Sequence, residues 1–208
     1  MTGFWDKHIV PRLISAGCSQ APVMAMRHHV VPLARGRVLE LGAGGGINFA
    51  LYDRAAVETV VGIDPSDELR DRARAQMRPE DRGFFEIAKG MAEALPSADA
   101  SFDTVVSTFT LCSVDDQQRA LAEAHRVLKP GGRFLFLEHG HSPDDGPARW
   151  QRRIEPAWKH LMGNCHLTRP VTDAVAAAGF VTGARKGRYM EKAPRFAGWV
   201  EWGNAARP

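Results

Sequence analysis

Cysteine and long apolar runs are both scarce in this sequence of 208 residues. Its three cysteines, Cys18, Cys112 and Cys165, form neither a CxxC pair nor a disulfide framework, which indicates a reducing compartment. No apolar run approaches the ~20 residues that a membrane-spanning helix needs. The first residues lack both the basic start and the apolar stretch of a secretion signal. We therefore expect a cytoplasmic protein with no integral membrane segment.

A dense basic stripe is also missing. The formal net charge is +3, and its excess lies in residues 140–208, which hold 11 Lys and Arg against 6 Asp and Glu. A nucleic-acid-binding chain would interleave a denser basic stripe with aromatic residues, so we expect no nucleic-acid partner. The basic tail fits either a solvated face or peripheral contact with an anionic membrane surface.

Short β-branched runs alternate with amphipathic stretches through the middle of the chain. Strands are predicted at residues 37–41, 59–63, 83–88, 102–107 and 133–137, followed by a hairpin at 180–185 and 198–202. Helices are predicted at 67–77 (with Ser66 as N-cap), 115–128 and 171–178, and one is predicted to start within 47–52. This order predicts one α/β domain over residues 1–208, with a Rossmann-like, doubly wound, seven-stranded sheet and helices on both faces.

A glycine-rich turn follows the first predicted strand, in the order Glu40-Leu41-Gly42-Ala43-Gly44-Gly45-Gly46. Glycines at such a turn let the backbone curl under a ligand and present amide N–H groups to it. The dinucleotide fingerprint needs a third glycine where this chain has Ile47, and a carboxylate at Glu40 opposes a pyrophosphate but suits an ammonium group. The turn therefore favours a nucleoside with an amino-acid tail over a dinucleotide.

Asp64 ends the second predicted strand, 22 residues after Gly42. At that place a carboxylate can accept hydrogen bonds from both hydroxyls of a ribose. A cap of the Asp64-Pro65 turn is the simpler alternative. Because two acids at strand ends lie beside one glycine turn, the sequence predicts nucleoside binding.

Five segments in this order resemble the class I methyltransferases that use S-adenosylmethionine: residues 40–46, 64, 90–96, 102–106 and 126–132. The resemblance implies S-adenosylmethionine as cofactor, with Glu40 supporting its amino group and Asp64 holding its ribose. The other cofactor-binding residues that it implies are Gly42, Ala43, Gly44, Gly46, Asn48 and Thr108, with Pro65, Met91 and Ala92 around the adenine.

A closer resemblance is to the thiol methyltransferases of the microsomal, methyltransferase-like type and their bacterial relatives. It rests on residues 48–49, 111–114, 137–139, 155–158 and 165–169. It implies S-methylation of a small-molecule thiol, which reacts as its thiolate and makes a strong base optional. His139 is the first candidate for a base, because it leaves the fifth strand at the ligand edge, and His166 is the second. A histidine that only packs or hydrogen-bonds is equally compatible with either position.

Two parts of the chain lie outside the strand-and-helix pattern, residues 1–35 and residues 140–170. In an open sheet, ligands bind beyond the carboxyl ends of the strands, and both segments can reach that edge. We expect residues 1–35 to form an N-terminal lid and residues 140–170 to form an acceptor-pocket insertion. Cys112, Trp158 and Cys165 are predicted to bind the substrate.

No metal site is predicted. The stretch Glu138-His139-Gly140-His141 suggests a ligand pair, but the sequence supplies no third convergent ligand at helical spacing. Cys112 and Cys165 could form a redox pair, although isolated thiols more often pack as small apolar groups.

Other functions stay open at this point. The core is also similar to methyltransferases that act on nitrogen or carbon of a phospholipid amine or a quinone. An NAD-dependent oxidoreductase is disfavoured by Ile47, and a nucleoside-binding protein without catalysis is disfavoured by the intact Glu40 and Asp64. Nucleic-acid amino methylation is disfavoured, because residues 107–110 lack the Pro-Pro-aromatic loop that grips a planar amine. The sequence does not determine the oligomeric state.

Overall fold

The computed structural model describes residues 20–183 and 186–208. The predictions for Cys18 and for residues 1–19 of the N-terminal lid lie outside the described residues. The helices are α1 (Ala21–Arg27), α2 (Asp67–Gln76), α3 (Gln117–Val127), α4 (Asp145–Leu161), α5 (Val171–Ala177) and α6 (Arg195–Gly198). The strands are β1 (Gly36–Leu41), β2 (Val57–Asp64), β3 (Phe85–Lys89), β4 (Phe102–Thr108), β5 (Leu128–His139), β6 (Val181–Thr182), β7 (Lys186–Tyr189) and β8 (Trp199–Ala206).

The strands form one sheet in the order β3-β2-β1-β4-β5-β8-β6, with β7 also paired to β8. Strands β1 to β5 are parallel, and β8 runs antiparallel to β5. β6 pairs with the last residues of β8 and β7 with its first, so both lie along one edge and the sheet is seven positions wide. The prediction of a doubly wound α/β sheet is confirmed, and its strand order reverses between β1 and β4, where such folds bind ligands.

Apolar side chains cover both faces of the central strands. On one face, Leu121, Ala124 and Val127 of α3 are fully buried and belong to the same cluster as Phe134 and Phe136 of β5, as the helical spacing predicts. On the other face, buried residues of the segment 23–34 pack in a cluster with Val60, Val106 and Leu135. The strands are therefore buried on both faces, which explains their nearly continuous apolar sequences.

The prediction of a helix that starts within residues 47–52 is wrong, because the chain forms only a single 3-10 turn there, at Phe49–Leu51. Asn48 precedes this turn, and its side chain bonds Glu40 and Thr108 instead of capping a helix. The ring of Phe49 stacks on Phe85, with ring centroids 4.2 Å apart. These tertiary contacts override the local preference for a helix.

The long helix α4 lies within residues 140–170, where the sequence analysis assigned no element. It packs against the short helix α6, so residues 140–170 and the carboxyl-terminal segment lie side by side beyond the end of β5. In the part of the chain that the structure describes, no helix combines the length and the apolar character needed to cross a membrane.

Candidate functional site

Two adjoining cavities open at the carboxyl ends of the parallel strands, and each encloses about 390 Å³. The first, here the glycine-loop cavity, is lined by the turn after β1, the end of β2, residues 90–93 and Arg27. The second, here the cysteine cavity, is lined by Cys112, His139, Trp158 and Cys165 and by residues 190–194. Phe109 and Ser113 line both cavities, so ligands bound in the two would be close neighbours.

The glycine turn forms one wall of the first cavity. Gly42, Gly44 and Gly46 adopt left-handed φ angles of 64°, 55° and 83°. A Cβ atom added at Gly42 would lie 2.3 Å from Thr110 Oγ1, so the turn passes too close to the loop after β4 for a side chain there. The N–H of Gly44 donates to Asp64 Oδ2 over 2.9 Å, which ties the turn to the end of β2.

Asp64 is 5% exposed and borders the same cavity. Its Oδ2 accepts from Gly44, and its Oδ1 accepts from the N–H of Ser66 over 2.8 Å. Burial raises the pKa of Asp64 above its ordinary value, while the two N–H groups and Arg70 act in the opposite direction. A carboxylate offers about four acceptor positions, so each oxygen keeps capacity for a ligand hydroxyl. The geometry is compatible with the predicted contact to a ribose, which stays a prediction.

Glu40 is 1% exposed at the end of β1. Asn48 Nδ2 donates to its Oε1 over 2.7 Å, and the Tyr52 hydroxyl donates to its Oε2 over 2.8 Å. Burial raises the pKa of Glu40 to about 7, although Tyr52, Asn48 and Arg27 favour the ionised form. A cationic ligand group beside Glu40 would therefore draw off its proton near neutral pH.

Arg27 and Tyr52 are site residues that sequence analysis missed. Arg27 is buried at the end of α1, and its Nη1 donates to Asn48 Oδ1 over 2.9 Å and to Thr108 Oγ1 over 2.5 Å. Its guanidinium lies 5.2 Å from the centre of the Phe109 ring. Arg27 thus joins the segment before β1 to the glycine turn and to β4. An arginine within a short amphipathic stretch gives no sequence signal of this role.

The residues predicted around the adenine lie together along the glycine-loop cavity. Ala92 is buried, whereas Met91 is 48% exposed, and both line the cavity. Gly46 does not line the cavity, and a Cβ atom there would instead meet the ring of Phe49 at 2.6 Å. The other predicted cofactor-binding residues all line it: Glu40, Gly42, Ala43, Gly44, Asn48, Asp64, Pro65, Met91, Ala92 and Thr108.

The cysteine cavity brings together three predicted residues that are far apart in sequence. His139 Nδ1 lies 3.9 Å from Cys112 Sγ and 3.4 Å from Cys165 Sγ, and the two sulfurs are 3.7 Å apart. Both thiols are free and buried. The thiol contact with Cys165 and burial raise the pKa of Cys112 well above its ordinary value. The prediction of no metal site rested on the sequence neighbours of His139. It did not include the sulfurs of Cys112 and Cys165, because these come from other loops.

Buried polar contacts hold the loops that carry the two cysteines. Glu138 is fully buried and accepts from Ser107 Oγ over 2.7 Å, from Thr110 N over 3.1 Å and from Cys112 N over 3.2 Å. The carbonyl oxygen of Cys112 accepts from His166 N over 2.7 Å, and that of Leu111 accepts from Arg169 over 2.6 Å. The loop after β4 and the loop after α4 are therefore joined directly.

His166, the second candidate for a base, lies outside the lining of both cavities. Its Nδ1 is 3.2 Å from Glu155 Oε1, and Glu155 Oε2 also accepts from Thr168 N over 2.8 Å. Burial lowers the pKa of His166 below its ordinary value, and Arg169 acts in the same direction. This position fits a histidine that fixes the loop after α4.

Comparisons with known proteins find similarity to methyltransferases. Residues 39–136 match the family described as methyltransferase domain. Thiol S-methyltransferase TMT1B of Rattus norvegicus is 39% identical over 145 residues, which cover 69% of this chain and 59% of that protein. Ubiquinone/menaquinone biosynthesis C-methyltransferase UbiE of Methylobacterium nodulans is 40% identical over 107 residues, which cover 50% of this chain and 42% of that protein. The chain thus spans less than two thirds of the length of these relatives.

A solved structure shows the same fold. The crystal structure of an S-adenosylmethionine-dependent methyltransferase from Thermotoga maritima matches with a TM-score of 0.69 at 24% identity. The match covers 97% of this chain and 99% of that one.

Proposed function

We propose that this chain, a class I S-adenosylmethionine-dependent methyltransferase, transfers a methyl group to the sulfur of a small, largely apolar thiol. The observation that carries the proposal is the cysteine cavity, an apolar space that shares Phe109 and Ser113 with the glycine-loop cavity. The identity to a protein named thiol S-methyltransferase supports the same acceptor class.

The residues of the glycine-loop cavity fit the cofactor. When bound, S-adenosylmethionine supplies a methyl group activated by a sulfonium. Asp64 keeps acceptor capacity for the ribose hydroxyls, and Glu40 keeps capacity for the ammonium of the methionine part. Gly42 and Gly44 leave room for close approach of the ligand to the backbone.

The cysteine cavity suits a thiol better than an amine. Its described lining includes the apolar residues Trp158, Met162 and Val23. Glu191 and Lys192 also line it, and both are exposed. An ammonium acceptor needs a buried acid to hold it and a base to deprotonate it. A thiol has a pKa of about 8.5, so it can ionise without a strong base from the protein. Transfer then depends mainly on positioning and on exclusion of water.

Glu40 predicts a pH dependence of cofactor binding. Its pKa of about 7 means that most of it is protonated at pH 6 and ionised at pH 8. Only the carboxylate attracts the ammonium group, so affinity for S-adenosylhomocysteine should rise about tenfold from pH 6 to pH 8 and level off above. Calorimetry across this range checks it. Glu40→Gln should bind weakly with a flat profile, and an equally steep profile in that variant would assign the titration to another group.

A methyl-transfer assay tests the acceptor. We expect formation of S-adenosylhomocysteine with small alkyl thiols and none above background with a phospholipid amine or a quinone analogue. The Asp64→Ala variant supplies the background, because we expect it to bind the cofactor weakly. Turnover on the quinone analogue alone would replace the thiol with a C-methylation acceptor of the kind that the UbiE name describes.

A further inference from the structure

We propose that Cys112, His139 and Cys165 bind a zinc ion, whose fourth position takes the sulfur of the acceptor thiol. The identity of that fourth ligand rests on the proposed function, whereas the metal site does not. The three donor atoms lie within 4.8 Å of one another and line the cysteine cavity. Two thiolates and an imidazole with an open fourth position form a ligand set that catalytic zinc uses.

The distances match a tetrahedral ion. With Zn–S of about 2.3 Å and Zn–N of about 2.05 Å, tetrahedral angles place two sulfurs ~3.8 Å apart and a sulfur and a nitrogen ~3.6 Å apart. The observed distances are 3.7 Å between the sulfurs and 3.9 Å and 3.4 Å from the sulfurs to His139 Nδ1. Every one agrees within about 0.3 Å. A disulfide would need the two sulfurs about 2.05 Å apart.

Contacts with the surrounding structure hold Cys112 and His139 in place. Cys112 is fixed through its N–H by Glu138 and through its carbonyl oxygen by His166. His139 ends β5, and the ring of Phe109 packs against it with centroids 4.9 Å apart. Such support from outside the ligand set is typical of metal sites. The ion would therefore enter a site that needs little rearrangement.

The assignment gives His139 the role of a ligand instead of a base. On binding, the acceptor thiol loses its proton to solvent and its sulfur becomes the fourth ligand. A lone pair of that sulfur forms the new bond to the methyl carbon, the sulfonium C–S bond breaks, and its electron pair stays on the adenosyl sulfur. The thioether product is neutral and a weaker ligand, so it can leave.

Metal binding is measured first, on the full chain stripped of metal by a chelator and titrated with Zn²⁺ and with Co²⁺ as a spectroscopic probe. We expect one ion per chain and a thiolate-to-cobalt charge-transfer band. The Cys112→Ser, Cys165→Ser double variant should lose at least ~100-fold in affinity. His160→Gln is the control, because His160 is an exposed residue of α4 outside the cavity lining, and this variant should bind as the parent does. Equal affinity in the parent and double variant would overturn the proposal.

Retained affinity for S-adenosylhomocysteine and an unchanged Tm show that the variants fold. A Cys112–Cys165 disulfide after mild oxidation, in a chain that binds no Zn²⁺, would overturn the metal site and favour a redox pair. His139→Gln supplies a second test, since it should also weaken Co²⁺ binding while leaving both thiols in place.

Measurements of activity distinguish a failure of the metal site from a failure of the proposed thiol function. At pH 7 a free thiol is only a few per cent ionised, so removal of the metal should slow thiol methylation at least ~10-fold, with a smaller loss at pH 9. Added Zn²⁺ should restore the rate. Equal rates with and without metal would overturn the metal's role in transfer and leave the thiol function intact. Tight Zn²⁺ binding with no turnover of any thiol would overturn the proposed acceptor and leave the metal site standing.

Discussion

Replacing Asp64 by alanine should weaken the binding of S-adenosylhomocysteine by about 100-fold or more. The change would remove the two charge-assisted hydrogen bonds that we predict to the ribose, each worth about 1.5–3 kcal/mol, and 1.4 kcal/mol corresponds to a tenfold change in Kd. It also removes the acceptor of the Gly44 N–H, which ties the glycine turn to the end of β2. Isothermal titration calorimetry measures the effect directly.

Two other substitutions control this experiment. Asp64→Asn keeps one oxygen acceptor and should lose less affinity than the alanine variant. Asp71→Asn makes the same chemical change seven residues away, on a side chain that is 74% exposed, and should bind normally. If Asp64→Ala binds S-adenosylhomocysteine as tightly as the parent chain, Asp64 does not hold the ribose.

The substitution Gly42→Ala should lower the Tm by roughly 5–15 °C and impair cofactor binding. A left-handed φ angle costs an L residue about 1–2 kcal/mol, and overpacking costs about 1–3 kcal/mol more. Here φ is 64°, and the new Cβ atom would meet Thr110 Oγ1 at 2.3 Å. For a chain of this length, each kcal/mol lowers the Tm by about 2–4 °C. Thermal unfolding followed by circular dichroism checks the expected shift.

Gly45→Ala is the matched control in the same turn. Its φ is not left-handed, and the nearest atom to an added Cβ is Arg72 Cβ at 3.8 Å, an ordinary contact. Its Tm should therefore change by no more than about 2 °C. Adding Thr110→Ala to Gly42→Ala should recover part of the loss by relieving the clash. Equal Tm values for Gly42→Ala and Gly45→Ala would contradict this account of the turn.

The two cavities divide the proposed reaction between separate sets of residues. The described groups that face the glycine-loop cavity come from α1, α2, the ends of β1, β2 and β4, and the loops after β1, β3 and β4, whereas the three proposed zinc ligands come from two loops and the end of β5. Variants in the cysteine cavity should therefore change acceptor turnover without changing cofactor affinity. Phe109 and Ser113 are the exceptions, since they line both spaces.

Local patterns in the sequence were sufficient to predict the sheet and a set of residues that line the glycine-loop cavity. Apolar runs predict buried parallel strands, and a glycine turn with acids at neighbouring strand ends predicts a nucleoside site. Both patterns span only a few residues, so they are visible in the sequence. The parallel topology then brings Glu40 and Asp64 to one edge, and the structure places both in one cavity. Their contacts to the cofactor remain predictions.

Tertiary structure alone decided the rest. Arg27 reaches Thr108 across 81 positions of sequence, and Cys112 meets Cys165 across 53. Sequence periodicity does not predict pairs of this kind, since the contact between the two residues depends on how the elements pack. The same reason explains the missed turn at residues 49–51, where contacts of Asn48 and Phe49 outweigh local helix preference. The sequence determined which residues lie at the ends of strands, whereas the packing of the elements determined which of those residues contact one another.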